Sequence, residues 1–268
     1  MPHVRLRSLP TICQTQNFMA GRKFIASIVL SLLTPLSFSL PQIKPANEKL
    51  LYRVEWRLIQ AGTAKVEFSG AAATGSQADV QLQSAGLVSK LFKVNDVYRA
   101  NMAGQFCATS TRMDAEEGRR HRVSDVKFDR HAKHASYVER DMIKNSVVVT
   151  KEIDTPDCVY EVMGGLQKLR SLKLEPGQSV LIPLSDGKKF VQSKVEAQER
   201  EEIITPAGKY KTMRYEAFLF NNVFYQRSGR LFVWITEDSR RLPVQIRVRL
   251  PIHIGTISLI LEKGEHAK

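Results

Sequence analysis

Polar and apolar residues alternate along most of this chain. Leu50, Tyr52, Val54, Trp56 and Leu58 alternate with Leu51, Arg53, Glu55 and Arg57. A period of two over that length predicts a half-buried β-strand. The stretch QAGT predicts a turn at Gly62, and Ala64, Val66 and Phe68 then alternate with Lys65 and Glu67 as the second arm of a hairpin. SGAAATGSQA reads as a flexible loop, after which DVQLQS resumes the alternation. The same rhythm recurs in DVYRANM, RRHRVSDVKFD, KHASYVE and SVVVTKEI. It continues through SVLIPLSD, KKFVQSKVEA, YKTMRYEAFLF, GRLFVWIT, PVQIRVRL and TISLILEK, with Ser185-Asp186-Gly187 as a turn. About a dozen strands follow one another as in an antiparallel meander.

One segment departs from this period. In TPDCVYEVMGGLQKLRSL the apolar positions Val159, Val162, Met163, Leu166 and Leu169 follow helical spacing. Thr155 is the expected cap, with Pro156 at the first helical position and Asp157 against the positive helix end. Gly164-Gly165 weakens the helix but lets it press closely on a sheet. The expected fold is mainly β: a large curved antiparallel sheet, half-barrel to barrel, with one main helix packed on its concave side.

The first forty residues carry a different signal. Arg22 and Lys23 precede the apolar run FIASIVLSLLTPLSFSL, and Ser37 and Ser39 supply small residues before Leu40. This is the pattern of a secretory signal, with Met19 as an alternative start. Pro35 and the serines argue against a membrane-spanning helix, which needs about 20 strongly apolar residues. The expected organisation is a signal peptide over residues 1–39, a lead-in over 40–48 and a single β-rich domain over 49–268, in an exported, periplasmic protein.

Export changes how the charge is read. The 268 residues include 40 Lys+Arg and 27 Asp+Glu, a net charge of +13. Removing the four basic residues of the signal leaves 36 against 27, or +9. Basic proteins often meet nucleic acid, but outside the cytoplasm the available partners are an anionic membrane surface or an envelope protein, and no nucleic acid is expected. Cys107 and Cys158 are the two cysteines beyond the signal. An even pair in an oxidising compartment predicts one disulfide between them.

Motifs for catalysis are missing from the sequence. It has no G-x-S-x-G, H-E-x-x-H, P-loop, dinucleotide fingerprint or C-x-x-C. His131 and His134 have a metal-like spacing near Asp129, but the segment is polar and reads as a solvated hairpin tip, so no metal and no cofactor are expected. His121 stands among Arg119, Arg120 and Arg122 on an exposed basic strand. The acidic pairs Glu116-Glu117, Glu201-Glu202 and Glu237-Asp238 are adjacent in sequence, so each points to opposite faces of a strand or out of a turn. Arg247 and Arg249 alternate with apolar residues in PVQIRVRL, and with Arg240 and Arg241 they form a candidate basic surface. The turn composition of Glu237–Arg241 predicts a solvent-exposed hairpin connection.

Four segments in order, NEKLLYRVEWRLIQAGTAKVEF, TPDCVYEVMGGLQKLRSLKLEPGQ, ITPAGKYKT and GRLFVWITEDSRRLPVQIRVRLPIHIGTISLIL, resemble a family of bacterial exported envelope proteins, domain of unknown function 3108. The resemblance covers about Asn47 to Leu261. It implies a mostly β, half-barrel-like fold, similar to the lipoprotein-carrier (LolA/LolB-like) architecture in which a curved sheet and helices enclose an apolar cavity. It supplies no catalytic residues. Relatives often carry aromatic residues where this chain has Gly164-Gly165-Leu166-Gln167, so a cavity here would differ in shape.

The functional expectation is a non-catalytic envelope protein that binds an apolar or amphiphilic ligand such as a lipid. The candidate cavity residues are Tyr52, Trp56, Val66, Phe68, Val162, Met163, Leu166, Tyr215 and Trp234. The alternatives are a structural or assembly protein of the envelope and an envelope hydrolase with convergent carboxylates.

Overall fold

This computed structural model describes residues 47–266; the predicted signal segment and most of the lead-in lie outside them. Fourteen strands form one antiparallel sheet. The first half comprises β1 (Glu48–Trp56), β2 (Ile59–Ala71), β3 (Gly75–Ser84), β4 (Val94–Ala103), β5 (Cys107–Glu117), β6 (Arg120–Asp129), β7 (His134–Asp141) and β8 (Ser146–Asp154). The second comprises β9 (Ser179–Ser185), β10 (Phe190–Thr205), β11 (Gly208–Ala217), β12 (Arg230–Thr236), β13 (Pro243–Arg249) and β14 (Thr256–His266). Each half is a meander. They join where β14 pairs with β1, which leaves β8 and β9 as the two edges. A short helix, α1 (Gly86–Leu91), links β3 to β4, and the main helix, α2 (Val162–Arg170), links the halves.

The predicted alternation is the sheet's inside and outside. On β1, Leu50, Tyr52 and Val54 are buried while Leu51 and Arg53 are half-buried. The turn that follows is not at Gly62. It is a two-residue hairpin at Arg57 and Leu58, both with positive φ, the twist that suits a right-handed strand pair. Neither residue is glycine, so the conformation is strained. Arg57 holds it by donating from Nη2 to the carbonyls of His253 (2.6 Å) and Ile252 (2.9 Å) in the β13–β14 connection. Gly62 serves close approach instead: a Cβ there would lie 2.1 Å from the Gln83 carbonyl of β3. The predicted loop SGAAATGSQA also shrinks to a turn, because β2 runs to Ala71 and β3 begins at Gly75.

The main helix starts later than the sequence suggests. Residues 155–160 are non-helical, with a bend at Asp157-Cys158, and serve as a tie between the halves. Ala108 N donates to Val159 O (2.8 Å), Tyr160 N to Pro183 O and Ser185 N to Tyr160 O (both 2.9 Å). Long-range pairing thus overrides the Thr155-Pro156-Asp157 start signal. The Cys107–Cys158 disulfide fastens the same tie to the start of β5. Closing a loop of that sequence separation, 51 residues, contributes roughly 3–4 kcal/mol in the chain-entropy model. Glu161 is the actual N-cap: its carboxylate accepts from Met163 N (2.7 Å) and from Gly164 N.

Antiparallel connectivity sends alternate connections to opposite ends of the sheet. The connections 57–58, 85–93, 186–189, 218–229 and 250–255 share one end. The tie, the α2 termini and the β12–β13 turn share the other. α2 lies on the concave face, pressed in by its paired glycines. A Cβ on Gly164 would meet Phe106 O at 2.7 Å, and one on Gly165 would meet Leu184 Cδ2 at 2.8 Å.

Candidate functional site

Between α2 and the concave sheet lies a cavity of about 370 Å³, a size at the lower end of ligand pockets, about 300–1,000 Å³. Val162, Met163, Gly165, Leu166 and Leu169 of the helix form one side. Tyr52, Val66, Phe68 and Val80 face it from β1, β2 and β3, and Ile182, Leu184 and Val195 from β9 and β10. Ala217, Leu231, Val233, Ile246, Val248 and Leu259 complete the wall from β11 to β14. No charged side chain lines it among the described residues. The register explains the convergence, because Ile246 stands beside Val233 on one strand and Leu259 on the other.

Six of the nine sequence-derived cavity residues meet at this wall: Tyr52, Val66, Phe68, Val162, Met163 and Leu166. The other three are elsewhere, each for a local reason. Trp56 belongs to the strained hairpin end, where its Nε1 donates to Ile254 O at 2.7 Å. Tyr215 is on the concave face and fully buried, but its hydroxyl accepts from Arg241 Nη2 at 2.9 Å, away from the wall. Trp234 is on the opposite face of the sheet, since its neighbour Val233 points into the cavity. Its ring lies under Arg247 (5.1 Å) and its Nε1 donates to Glu201 (3.3 Å).

The β11–β12 connection folds over one end of the cavity. Tyr225 N and Phe224 N donate to Leu219 O (2.6 and 2.8 Å), which turns Leu219, Phe220 and Tyr225 toward the cavity wall. Beyond them is an open groove of about 590 Å³. Phe220, Tyr225 and Val248 line both spaces, so groove and cavity adjoin. The groove carries Lys151, Lys188, Lys189 and Arg227 against one acid, Asp186.

At the opposite end, buried polar groups fix the helix. Burial pushes the Glu161 carboxyl above its ordinary value, opposed by hydrogen bonds from Tyr98 (2.7 Å) and the helix amides. At the helix C-terminus, Arg170 Nε donates to Arg241 O (2.8 Å), while Arg241 Nε donates to Arg170 O (3.3 Å). Arg241 Nη2 also donates to Leu172 O at 2.7 Å. Arg170 forms a two-pronged pair with Glu48, at 2.6 and 2.8 Å.

The family description "Protein of unknown function (DUF3108)" matches residues 51–262. The chain belongs to this family. No curated protein matches it. Among solved structures it is similar to the "Crystal Structure of Beta-barrel-like Protein of Domain of Unknown Function DUF1849 from Brucella abortus". That likeness has a TM-score of 0.54 at 9% identity and covers 83% of this chain and 98% of the other. At that identity the likeness shows a barrel-like fold and nothing more.

Within the DUF3108 match, the turn Glu237–Arg241 is more than an exposed connection. Asp238 accepts from Thr236 Oγ1 (2.6 Å) and from Arg240 (2.7 Å), and Thr236 Oγ1 accepts from Leu242 N (2.8 Å). Arg241 is half-buried and belongs to the helix clasp, not to a basic surface. Of the other three basic candidates, Arg240 is engaged by Asp238 in its own turn. Arg247 and Arg249 do share the outer face, stacked over Trp234 (5.1 Å) and Phe232 (5.2 Å). Arg247 is half-buried there, and burial lowers its pKa.

The remaining titratable candidates are engaged locally. Asp129 Oδ1 accepts from the amides of His131 and Ala132, and the His134 ring meets Glu152. His121 is paired with Asp114 at 2.8 Å, so its nearest charged partner is an acid, contrary to the basic surroundings its neighbours in sequence suggest. Glu201 pairs with Arg214, Glu202 with Lys209 and Glu237 with Arg200.

Proposed function

We propose that this DUF3108 protein is an exported, non-catalytic envelope protein that holds an apolar or amphiphilic ligand, such as a lipid, in the cavity under α2. The observation that carries the reading is the cavity's lining: aliphatic and aromatic side chains from the helix and both halves of the sheet, with no charge among them in the described residues. An apolar ligand there gains about 0.8 kcal/mol for each methylene removed from water. The export-type N-terminal sequence and the half-barrel shape, which resembles lipid-carrier architecture, support the same reading.

Native mass spectrometry of the protein purified from envelopes tests it. The expected result is a population heavier than the polypeptide by one lipid mass, released by organic extraction. A clean polypeptide mass that takes up no added fatty acid or lysolipid overturns the reading.

A second reading rests on the outer face. Arg214, Arg230 and Arg249 lie within 4.8–5.7 Å of the Phe232 ring, and Arg247 covers Trp234. Such a laced aromatic–arginine surface suits an envelope protein partner. Crosslinking in intact envelopes tests it: a partner lost on Arg247→Glu with Arg249→Glu supports it, and no difference from the native protein refutes it.

A further inference from the structure

The groove at the cavity mouth makes the ligand class more specific. We propose that the ligand is an anionic, single-tailed amphiphile, its tail in the cavity and its carboxylate or phosphate in the groove among Lys151, Lys188, Lys189 and Arg227. The inference rests on the ligand-binding reading above and adds the headgroup to it.

Three observations support it. First, the two spaces adjoin across Phe220, Tyr225 and Val248, which sets the groove beside the cavity end where a tail's headgroup would emerge. Second, the groove's cations are unneutralised. Several basic side chains elsewhere in the sheet are paired, as in Arg99–Asp79, Arg112–Asp125 and Arg230–Glu216. None of the groove's four cations forms an ion pair among the described residues. Asp186 sits beside them, but its Oδ1 already accepts from the amides of Lys188 (2.9 Å) and Lys189 (3.1 Å), where it shapes the turn.

Third, the lysines are positioned by rings and not by acids. Lys188 Nζ lies 4.9 Å from the Tyr137 ring centroid, and Lys189 Nζ lies 5.3 Å from that of Phe224. A ring face attracts an ammonium without cancelling its charge. Lys189 Nζ also donates to Val223 O at 3.5 Å, so each ammonium keeps its charge and at least two N–H donors for an anion. Four cations beside an uncharged cavity form an amphipathic site, complementary to a molecule with one charged end. The cavity's modest volume favours one tail.

The experiment is a set of equilibrium titrations with palmitate, palmitoyl lysophosphatidate and monopalmitoyl glycerol. They share a tail and differ in headgroup: carboxylate, phosphate and neutral. The native protein is expected to bind at least one anionic ligand about tenfold more tightly than the neutral one, ~1.4 kcal/mol, with the gap narrowing at high salt. Lys188→Glu with Lys189→Glu is expected to remove the gap and leave the glycerol ester unaffected. Leu166→Trp, which fills the cavity, is expected to weaken all three ligands.

Equal binding of all three by the native protein, or a gap unchanged by the charge reversals, overturns the headgroup assignment while the cavity reading stands. Binding of none overturns both. A preference between palmitate and lysophosphatidate decides which anion the groove fits.

Discussion

Alanine at each of the paired glycines of α2 should have unequal consequences. Gly164 and Gly165 are adjacent in the first turns of the helix, and either substitution gains up to about 1 kcal/mol of helix propensity. Their surroundings differ. At Gly165 the new methyl group meets Leu184 Cδ2 at 2.8 Å, the free end of a side chain that can rotate away. At Gly164 it meets Phe106 O at 2.7 Å, a backbone atom one residue from the disulfide-bonded Cys107. Phe106 also has a positive φ and little freedom to shift. The helix must therefore back away, which disturbs the bond from Gly164 N to Glu161 Oε1. Overpacking costs about 1–3 kcal/mol and a weakened cap about 1 kcal/mol. Gly164→Ala is therefore expected to destabilise by about 1–3 kcal/mol, and Gly165→Ala to change stability by about 1 kcal/mol or less, of either sign. Urea unfolding with the disulfide intact measures both, provided the slope m stays constant. A Gly164→Ala protein at least as stable as the native one refutes this account of how the helix is seated.

Two further predictions concern single polar groups. Arg241→Ala removes the donors to Leu172 O, Arg170 O and the Tyr215 hydroxyl and should cost about 2–4 kcal/mol by chemical denaturation. Arg240→Ala, whose guanidinium reaches only Asp238 among the described residues, should stay within about 0.5 kcal/mol of the native protein. Asp96 is buried with Oδ1 unpartnered among the described residues, and burial with Glu117 nearby pushes its carboxyl up to about 6. Its folded value lies above its unfolded one, so the native state loses stability as pH rises from about 4 through 6. Asp96→Asn should thus stabilise at pH 7.5 by about 1–2 kcal/mol, allowing for solvent screening, and change little near pH 4; equal effects at both pH values would contradict this.

Much of the sheet was legible because inward positions on β1, β2 and β12 are large and apolar. β5 was not. Opposite Ala100, Tyr98 and Asp96, its inward positions hold Thr111, Met113 and Ala115, and one large apolar residue among small or polar ones does not mark a period. α1 escaped notice because none of its residues is buried. The hairpin at Arg57-Leu58 lacks turn residues, and its support comes from atoms about 195 positions away.

The cavity was legible where one strand or helix supplied the signal, as with Tyr52, Phe68 and Leu166. Leu231, Ile246 and Tyr225 were missed because register and loop folding, not local composition, decide what they face. Trp234 shows the same limit from the other side, since a buried tryptophan need not point inward when arginines cover the outer face. Arg241 looked like turn composition because its partner Arg170 is 71 residues away.

On the proposed function, an acyl tail lies between α2 and the concave sheet. Methyl-detected NMR of protein labelled at methionine and leucine methyl groups, titrated with palmitate, tests it most directly. Intermolecular contacts are expected from the tail to the methyl groups of Met163 and Leu166, with Gly165→Trp abolishing them. Contacts confined to residues outside the cavity wall, or none at saturating palmitate, would contradict it.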